Sequence, residues 1–494
     1  MKDLKERTLR GGFAKLCAQG ANFFLRVGSL MVLARLLDPT DFGLVGMVTV
    51  VTGVFSLFKD AGLSMVTIQR STITNEQVST LFWINMLVGA VLGLLSLAIA
   101  PIISSFYHEP RLFWVTAALA TGFLFNAAGV QHSALLQRQM NFTSLAVIEI
   151  ISLLVSIAVG IGLAIGGYGY WALVGMAVIA PAVSTVCLWS IATWVPGVPH
   201  RRVGIGSMMR FGGTATLNGL VVYIAYNLEK VLLGRFWGAE GLGIYGRAYQ
   251  LISIPTENLN SASGGVAFAA LSRLRDDPNR FKNYFLKGYS VVLALTLPIT
   301  IACALFANDI ILTLLGPKWK EAILVFQLLT PTILVFALIN PFSWLLYSIG
   351  LVGRSLKIAL VIAPLVIAAY VIGLPHGPTG VALAYSAAMT LWLVPHIAWC
   401  IHGTMISSRD ILKASSQPFL SAIVAAAVAF AAQFFYGQSF SPLPRLLLGG
   451  GILLIVYLWM LLYVMGQKAF YLDLLQGLRK RSSVGEGKES VATY

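Results

Sequence analysis

Long apolar stretches recur along almost the whole chain, and they limit what it can fold into. Fourteen of them approach the roughly 20 mostly apolar residues that a membrane-spanning helix needs. Because a backbone in lipid must satisfy its own hydrogen bonds, such stretches form helices. The sequence therefore predicts an all-α integral membrane protein. The candidate spans are 11–36, 42–60, 79–103, 112–134, 144–165, 169–194, 208–235, 240–263, 284–307, 322–346, 356–374, 379–402, 414–436 and 446–466.

Composition excludes the other broad classes. Of the 494 residues, 57% are hydrophobic and only 11% are charged, whereas a soluble chain carries about 25% charged residues. So few charges cannot cover several soluble domains, and a secreted disulfide scaffold, a disordered chain and a coiled coil are equally excluded. The four cysteines lie in separate apolar runs without a CxxC pair, as is typical of small buried side chains.

The distribution of Lys and Arg predicts the orientation. If the N-terminus lies inside, 24 of the 34 Lys and Arg residues fall in inside segments, six in outside loops and four within spans. The positive-inside rule then places both termini in the cytoplasm and favours an even number of spans. The charged N-terminus lacks a cleavage-site pattern, so we expect no removable signal peptide. No nucleic-acid-binding module is visible, so the net charge of +15 is interpreted as topological.

An internal repeat divides the chain. LARLLDPTDFGLVG at 33–46 matches LGRFWGAEGLGIYG at 233–246, at an offset of 200 residues. Because six spans separate the copies, both have the same orientation, which indicates two parallel six-helix lobes around a central cavity. We predict an N-terminal lobe at 1–200, a C-terminal lobe at 201–403, and two extra transmembrane helices with a basic cytoplasmic tail at 404–494. The aligned residues are Arg35, Gly43 and Gly46 with Arg235, Gly243 and Gly246.

Span 1 carries a polar stripe. Lys15, Gln19, Asn22 and Arg26 stand at i, i+4, i+7 and i+11, which places all four on one face of a helix. A charged side chain at mid-membrane costs roughly 2.5–3.5 kcal/mol on insertion scales, so water or a partner is expected beside it. The stripe indicates either a water-filled cavity or an interhelical hydrogen-bonding contact.

Polar groups recur in spans 2, 7 and 8, and the other spans look nearly featureless. Spans 1, 2, 7 and 8 begin the two halves, so we expect them to face one central cavity with excess positive charge. Pro255 is expected to break span 8. Predicted substrate-binding residues are Lys15, Gln19, Asn22, Arg26, Tyr223, Asn227, Lys230, Arg247 and Gln250, and the candidates for ion coupling are Glu257, Glu229 and Asp60.

Two acidic residues each allow two interpretations. Glu229 adjoins Lys230, so the pair is either functional or a local charge balance near the outer interface. Glu149 in span 5 is isolated, and it is either a proton site or a hydrogen-bonded structural acid.

Enzyme and metal motifs are missing from the sequence. It has no HExxH, GxxxxGK[ST] or GxSxG, and GLGIYG at 241–246 follows no strand. A cationic cavity in a membrane suits an anionic substrate. We therefore predict a transporter and not an enzyme, with no metal site and no cofactor apart from a coupling H+ or Na+.

Two stretches resemble a known family. ARLLDPTDFGLVGMVTV after span 1 and YNLEKVLLGRFWGAEGLGIYGRAYQL across spans 7 and 8 resemble the polysaccharide exporters and lipid-linked oligosaccharide flippases. This family belongs to the multidrug/oligosaccharidyl-lipid/polysaccharide exporter superfamily. The stretch AALSRLRDDPNRFKNYFLKGYS at 269–290 also fits. Glu229 departs from the aspartate expected in many relatives, which weakens the case for ion coupling at that position.

The resemblance implies a function. The chain would flip undecaprenyl-pyrophosphate-linked oligosaccharide repeat units across the bacterial inner membrane by alternating access, for an exopolysaccharide of the succinoglycan or colanic-acid kind. The pyrophosphate would bind Lys15, Arg26 and Arg247, and the glycan would lie beside Tyr223, Tyr226, Asn227 and Gln250. Implied partners are the anionic lipid-linked oligosaccharide, membrane lipids and polymerase or export machinery, but no nucleic acid.

Two other functions compete with this one. A multidrug or cation antiporter of the same superfamily would need an acidic cavity, and the excess of cations counts against it. A polysaccharide polymerase or ligase would need a sizeable outside loop with catalytic residues, and the predicted outside loops are short.

Overall fold

The computed structural model describes the backbone of residues 2–59, 64, 67–68, 73–199, 220, 223–436 and 440–472. Side chains are described from residue 19 onward, except 258–263, 265–266 and 269 within a helix. The described residues form helices and no strand, which confirms the all-α prediction.

Helices and short connections follow one another along the chain. The helices are α1 (Lys2–Leu36), α2 (Pro39–Ser56), α3 (Asn75–Tyr107), α4 (Arg111–Arg138), α5 (Phe142–Ile165), α6 (Trp171–Ile191), α7 (Leu228–Arg273), α8 (Pro278–Leu305), α9 (Ala307–Leu314), α10 (Ala322–Leu329), α11 (Pro331–Ile339), α12 (Pro341–Ser348), α13 (Val352–Gly373), α14 (Gly377–Ile401), α15 (Ser408–Tyr436) and α16 (Pro442–Trp459). Short 3₁₀ turns lie at Pro317–Trp319 and Leu374–His376.

Polar caps determine where several helices begin. Thr74 precedes α3, and its hydroxyl accepts a hydrogen bond from the Gln77 backbone N–H at 3.3 Å. The Gln77 side chain accepts one from the Thr74 N–H at 3.2 Å, which completes a capping box. Asp38 begins α2 in the same way with Asp41, and Pro39 then occupies the first turn, where it loses no intrahelical hydrogen bond.

One expected helix break is wrong, and another occurs nearby. The helix continues through Pro255, because a membrane helix tolerates the loss of one backbone hydrogen bond when its surroundings satisfy the freed groups. The break in α7 lies at Gly238, whose φ of 71° belongs to the left-handed region that favours glycine. The two helical parts of α7 are therefore residues 228–237 and 239–273.

Ten helical stretches in the described part of the chain are long and apolar enough to cross a membrane. One of them, Val352–Ile401, runs for 50 residues and joins α13 to α14. This supports a multi-pass membrane protein. The count of fourteen spans and the lobe boundaries at 200 and 403 stay predictions.

The chain forms two compact units. Unit 1 consists of Met1–Arg247, Leu314–Val325 and Val361–Tyr385. Within it α1 packs on α5, α5 on α6, α6 on α4, and α4 on both α3 and α2. The helices α1, α4, α5 and α6 therefore surround a common interior.

Unit 2 consists of Ala248–Thr313, Phe326–Leu360 and Ser386–Tyr494. Its helix α8 packs on α11, α15 and α16. The Tyr457 hydroxyl of α16 donates a buried hydrogen bond to the Ala294 carbonyl of α8 at 2.9 Å. The Asp309 carboxylate of α9 accepts hydrogen bonds from the Arg445 guanidinium of α16 at 2.8 and 2.9 Å. The two helices after residue 404 are thus integrated into this unit.

Candidate functional site: a polar cavity in unit 1

A cavity of about 670 Å³ lies among four helices of unit 1. Among the side chains that the structure describes, its wall carries one cation, Arg26 of α1, and one carboxylate, Glu149 of α5. At membrane depth a cavity with so many polar groups is costly unless water or a ligand occupies it. The polar lining residues are Gln19, Arg26, Asn126, Ser133, Gln137, Glu149, Ser152 and Ser184.

Helical periodicity brings these side chains to one place. Gln19 and Arg26 are seven residues apart on α1, so both lie on the same face. Glu149 and Ser152 are three residues apart on α5, and they face the cavity for the same reason. The Ser152 hydroxyl already donates to the Ile148 carbonyl of its own helix at 2.6 Å.

The two charged groups of the cavity are available to a ligand. Within the described part of the chain, neither Arg26 nor Glu149 forms an ion pair. A guanidinium offers five donors in a planar fork, which suits phosphate oxygens. The carboxylate accepts hydrogen bonds or binds a cation or proton. The cavity can therefore bind an anion together with a proton or cation.

The structure groups some of the residues predicted in span 1. Gln19 and Arg26 line the cavity together, whereas Asn22 is buried and its side-chain oxygen has no hydrogen-bond partner among the described residues. The Lys15 side chain lies outside the described residues, and so does Asp60. A role for those two residues stays a prediction.

The residues predicted in span 7 form a separate cluster in unit 1. The Lys230 ammonium donates to the Asn227 side-chain oxygen at 2.7 Å, and the Asn227 amide donates to the Tyr223 carbonyl at 2.9 Å. The Tyr223 hydroxyl donates to the Val50 carbonyl of α2 at 3.1 Å. None of these residues is among those that line the cavity.

Glu229 is buried beside this cluster. Only 1% of the residue is exposed, and neither carboxyl oxygen has a hydrogen-bond partner among the described residues. Lys230 follows Glu229 directly in the sequence, so the alternative of a local charge balance between them remains compatible with the structure.

The residues predicted in span 8 lie away from the cavity lining. The Arg247 guanidinium carbon lies 4.2 Å from the centre of the Phe42 ring, in a cation–π contact that belongs to unit 1. Gln250 and Glu257 are exposed residues of unit 2. The described cavity thus contains residues of the predicted N-terminal lobe alone, and a central cavity shared by both halves stays a prediction.

One side of this cavity was not predicted from the sequence. The expectation that the other spans are nearly featureless is wrong for α4, because Asn126, Ser133 and Gln137 stand at i, i+7 and i+11 and all line the cavity. That is the spacing of the stripe in span 1, so the signal was present. Glu149 looks isolated in the sequence because the charged residue that shares its cavity, Arg26, comes from another helix.

A family model described as "Polysaccharide biosynthesis protein" matches residues 32–324. The chain belongs to this family. The predicted resemblance is therefore confirmed, and the chain is a multi-pass membrane protein of polysaccharide biosynthesis and transport, not an enzyme.

Two curated relatives agree with this assignment. The chain is 28% identical over 391 residues to the "Lipopolysaccharide biosynthesis protein WzxC" of Escherichia coli K12, covering 77% of this chain and 78% of that one. It is 23% identical over 430 residues to the "Succinoglycan biosynthesis transport protein ExoT" of Rhizobium meliloti 1021, covering 86% of each.

Solved structures share the fold. The structure titled "Lipid II flippase MurJ, inward closed conformation" superposes with a TM-score of 0.73 at 15% identity, over 93% of this chain and all of that one. An inward-facing multidrug resistance MATE family transporter of the MOP superfamily gives 0.62 at 12% identity, over 77% and 93%. At these identities the likeness shows a common transporter fold.

Proposed function

We propose that this chain flips undecaprenyl-pyrophosphate-linked oligosaccharide repeat units across the bacterial inner membrane, for exopolysaccharide biosynthesis and export. The observation that carries the proposal is the polar cavity with Arg26 in its wall. The family and the names of the relatives WzxC and ExoT support it as well. The lipid-linked substrate is anionic at its pyrophosphate and polar at its sugars, and both parts need such a cavity in order to cross the hydrocarbon layer.

Each part of the substrate has a matching group in this proposal. The Arg26 guanidinium binds phosphate oxygens through paired, charge-assisted hydrogen bonds. The side-chain amides of Gln19, Asn126 and Gln137 bind sugar hydroxyls, and the prenyl tail stays in lipid. The two halves of the chain then rock to give alternating access. Lys15, Asn22, Tyr223, Asn227, Lys230, Arg247 and Gln250 remain proposed contacts along the path.

The membrane potential favours the proposed direction of transport. Moving a net charge of −1 outward, away from the negative inside, releases about 2.3 kcal/mol per 100 mV. A proton or Na+ moving inward in exchange would add to this driving force, and no other cofactor is required. Glu257, Glu229 and Asp60 are the proposed coupling carboxylates. Both termini lie in the cytoplasm in this proposal, and the polymerase and export machinery receive the substrate outside.

A reconstitution experiment tests the function. The purified chain is placed in liposomes with a short fluorescent undecaprenyl-pyrophosphate oligosaccharide, and a glycosidase added outside cleaves only sugars in the outer leaflet. We expect the cleaved fraction to rise from about half to nearly all when the chain is present. Protein-free liposomes are the control, and an unchanged fraction with folded protein would contradict the proposal.

The multidrug antiporter remains the second candidate, because Glu149 places a carboxylate in the cavity. In the same liposomes this alternative predicts uptake of a fluorescent cationic dye driven by a pH gradient, with no change in glycosidase cleavage.

Replacing Glu149 by glutamine should strengthen binding of the anionic substrate. The carboxylate shares the cavity with Arg26 and repels the pyrophosphate. We expect its removal to lower the KM for the lipid-linked sugar about fivefold. This change corresponds to a repulsion on the order of 1 kcal/mol between two charges that water partly screens. Glu240→Gln in α7, outside the cavity lining, is the control variant. A higher KM for Glu149→Gln would show that the carboxylate binds the substrate.

A further inference from the structure

The two copies of the sequence repeat meet each other inside unit 1. A Cβ added at Gly43 of α2 would overlap the Ala239 carbonyl oxygen and would lie 2.9 Å from the Ala239 Cα. A Cβ added at Gly243 of α7 would overlap the Pro39 carbonyl oxygen and would lie 2.7 Å from the Pro39 carbonyl carbon. Gly43 and Gly243 are 200 residues apart, and so are Pro39 and Ala239. The contact is therefore made twice, with the roles of the two copies exchanged.

The close approach is specific to one pair of glycines. The other matched pair in the repeat, Gly46 and Gly246, has room for a side chain. A Cβ at Gly46 would meet only the Leu242 side chain, at 3.4 Å, and a Cβ at Gly246 would have nothing within 4 Å. If helix propensity or turn formation were the reason for these glycines, both pairs would be equally explained. The backbone contact across α2 and α7 therefore explains the first pair only.

A short segment covers the adjacent turn between α1 and α2. The Trp319 indole N–H donates to the Ala34 carbonyl at 2.8 Å, and the Trp319 side chain is fully buried against Phe42. The Lys318 ammonium forms an ion pair with Asp38 at 2.7 Å. These contacts also belong to unit 1, and they close off the helix ends beside the glycine contact.

The cavity and the glycine contact lie at different depths. Arg26 precedes the end of α1 at Leu36 by ten residues, which is about 15 Å of helix. Pro39 of the glycine contact follows the end of α1 by three residues, so the contact lies near the membrane face opposite the N-terminus of α1. None of its four residues is among those that line the cavity.

We propose that Gly43 and Gly243, with Pro39 and Ala239, form a glycine seam that shuts the translocation path on the face opposite the N-terminus and parts when the path opens there. This inference rests on the proposed function, because a seam that opens and shuts has a role only in transport. Any side chain larger than hydrogen at either glycine keeps the backbones apart, so the closed state loses population and the open state gains it.

Thiol labelling tests the seam without measuring transport. In a background whose four cysteines are replaced by serine, Met47→Cys places a thiol beside the seam, where Met47 is 1% exposed. We expect a membrane-impermeant maleimide to label this thiol about tenfold faster when Gly43→Val or Gly243→Val is added. Gly246→Val is the matched control and should leave the rate unchanged. Equal labelling rates in the three glycine variants, or faster labelling with Gly246→Val alone, would overturn the proposed seam.

A cross-link keeps the proposal testable if the valine variants fold poorly. Gly46→Cys with Leu242→Cys leaves both seam glycines intact, and a Cβ at Gly46 lies 3.6 Å from the Leu242 Cγ. We expect oxidation to link α2 to α7 and to stop flipping, and reductant to restore it. Flipping that continues with the link in place would overturn the seam and leave the function intact. Flipping absent even in the unsubstituted protein would contradict the function, while the labelling would still decide the seam.

Discussion

Replacing Arg26 by alanine should reduce the flipping of lipid-linked oligosaccharide at least 30-fold. Arg26 is the cation among the residues that line the cavity, and within the described residues no ion pair ties it to the protein. Loss of its charge-assisted hydrogen bonds to phosphate should cost about 2 kcal/mol or more. The measurement is the initial rate of glycosidase cleavage in liposomes, together with surface polysaccharide in cells that depend on this chain.

The controls separate binding from folding. Arg26→Lys keeps the charge but loses the planar fork, so we expect an intermediate rate. Arg111→Ala removes an arginine from an exposed surface pair, where 47% of its side chain is accessible, and it should transport normally. Membrane levels of all variants should match. Normal transport by Arg26→Ala would remove this residue from the site.

Breaking the pair of Asp309 and Arg445 should have the largest effect on stability. Asp309 is 1% exposed, and it receives hydrogen bonds from both the Nε and the Nη2 of Arg445. Arg445→Leu leaves the buried carboxylate without this partner, so we expect a loss of about 3–5 kcal/mol in the free energy of unfolding. Asp309→Asn should cost less, because the Arg445 side chain is 24% exposed and can reach water. Denaturant titration of the purified protein in mixed micelles measures both.

A double variant shows whether the loss comes from the unpaired charge. Asp309→Leu with Arg445→Leu removes both charges, so it should be more stable than Arg445→Leu alone. The surface pair of Glu109 and Arg111 is the matched control. The Arg111 guanidinium holds the pKa of Glu109 below its usual range, but such an exposed pair contributes less than about 1 kcal/mol. A double variant as unstable as Arg445→Leu would show that packing, not charge, determines the loss.

Periodicity and hydropathy were enough to predict much of the fold. They predicted the helices, the internal repeat and the shared face of Gln19 and Arg26, because each of these depends on residues within one helix or on a fixed offset. The break at Gly238 was not predicted, because membrane helices contain glycine both where they are continuous and where they break. A glycine alone therefore does not indicate a break. Pro255 was expected to break α7, but tertiary surroundings and not local propensity decide whether a membrane helix tolerates proline.

The site was harder to predict than the fold. Glu149 and Arg26 lie 123 positions apart, and their meeting depends on α1 packing against α5, which no local pattern encodes. The stripe of Asn126, Ser133 and Gln137 was readable, but it lies outside the first two helices of each half. The symmetry between the halves therefore gave no indication of it.

The reciprocal contact of residue 43 with 239 and of residue 243 with 39 has the geometry of an isologous interface, in which each partner presents the same patch to the other. Homodimers are built this way. A half-length ancestor that paired with a second copy of itself would already have possessed this contact, and gene fusion would then have placed both copies in one polypeptide.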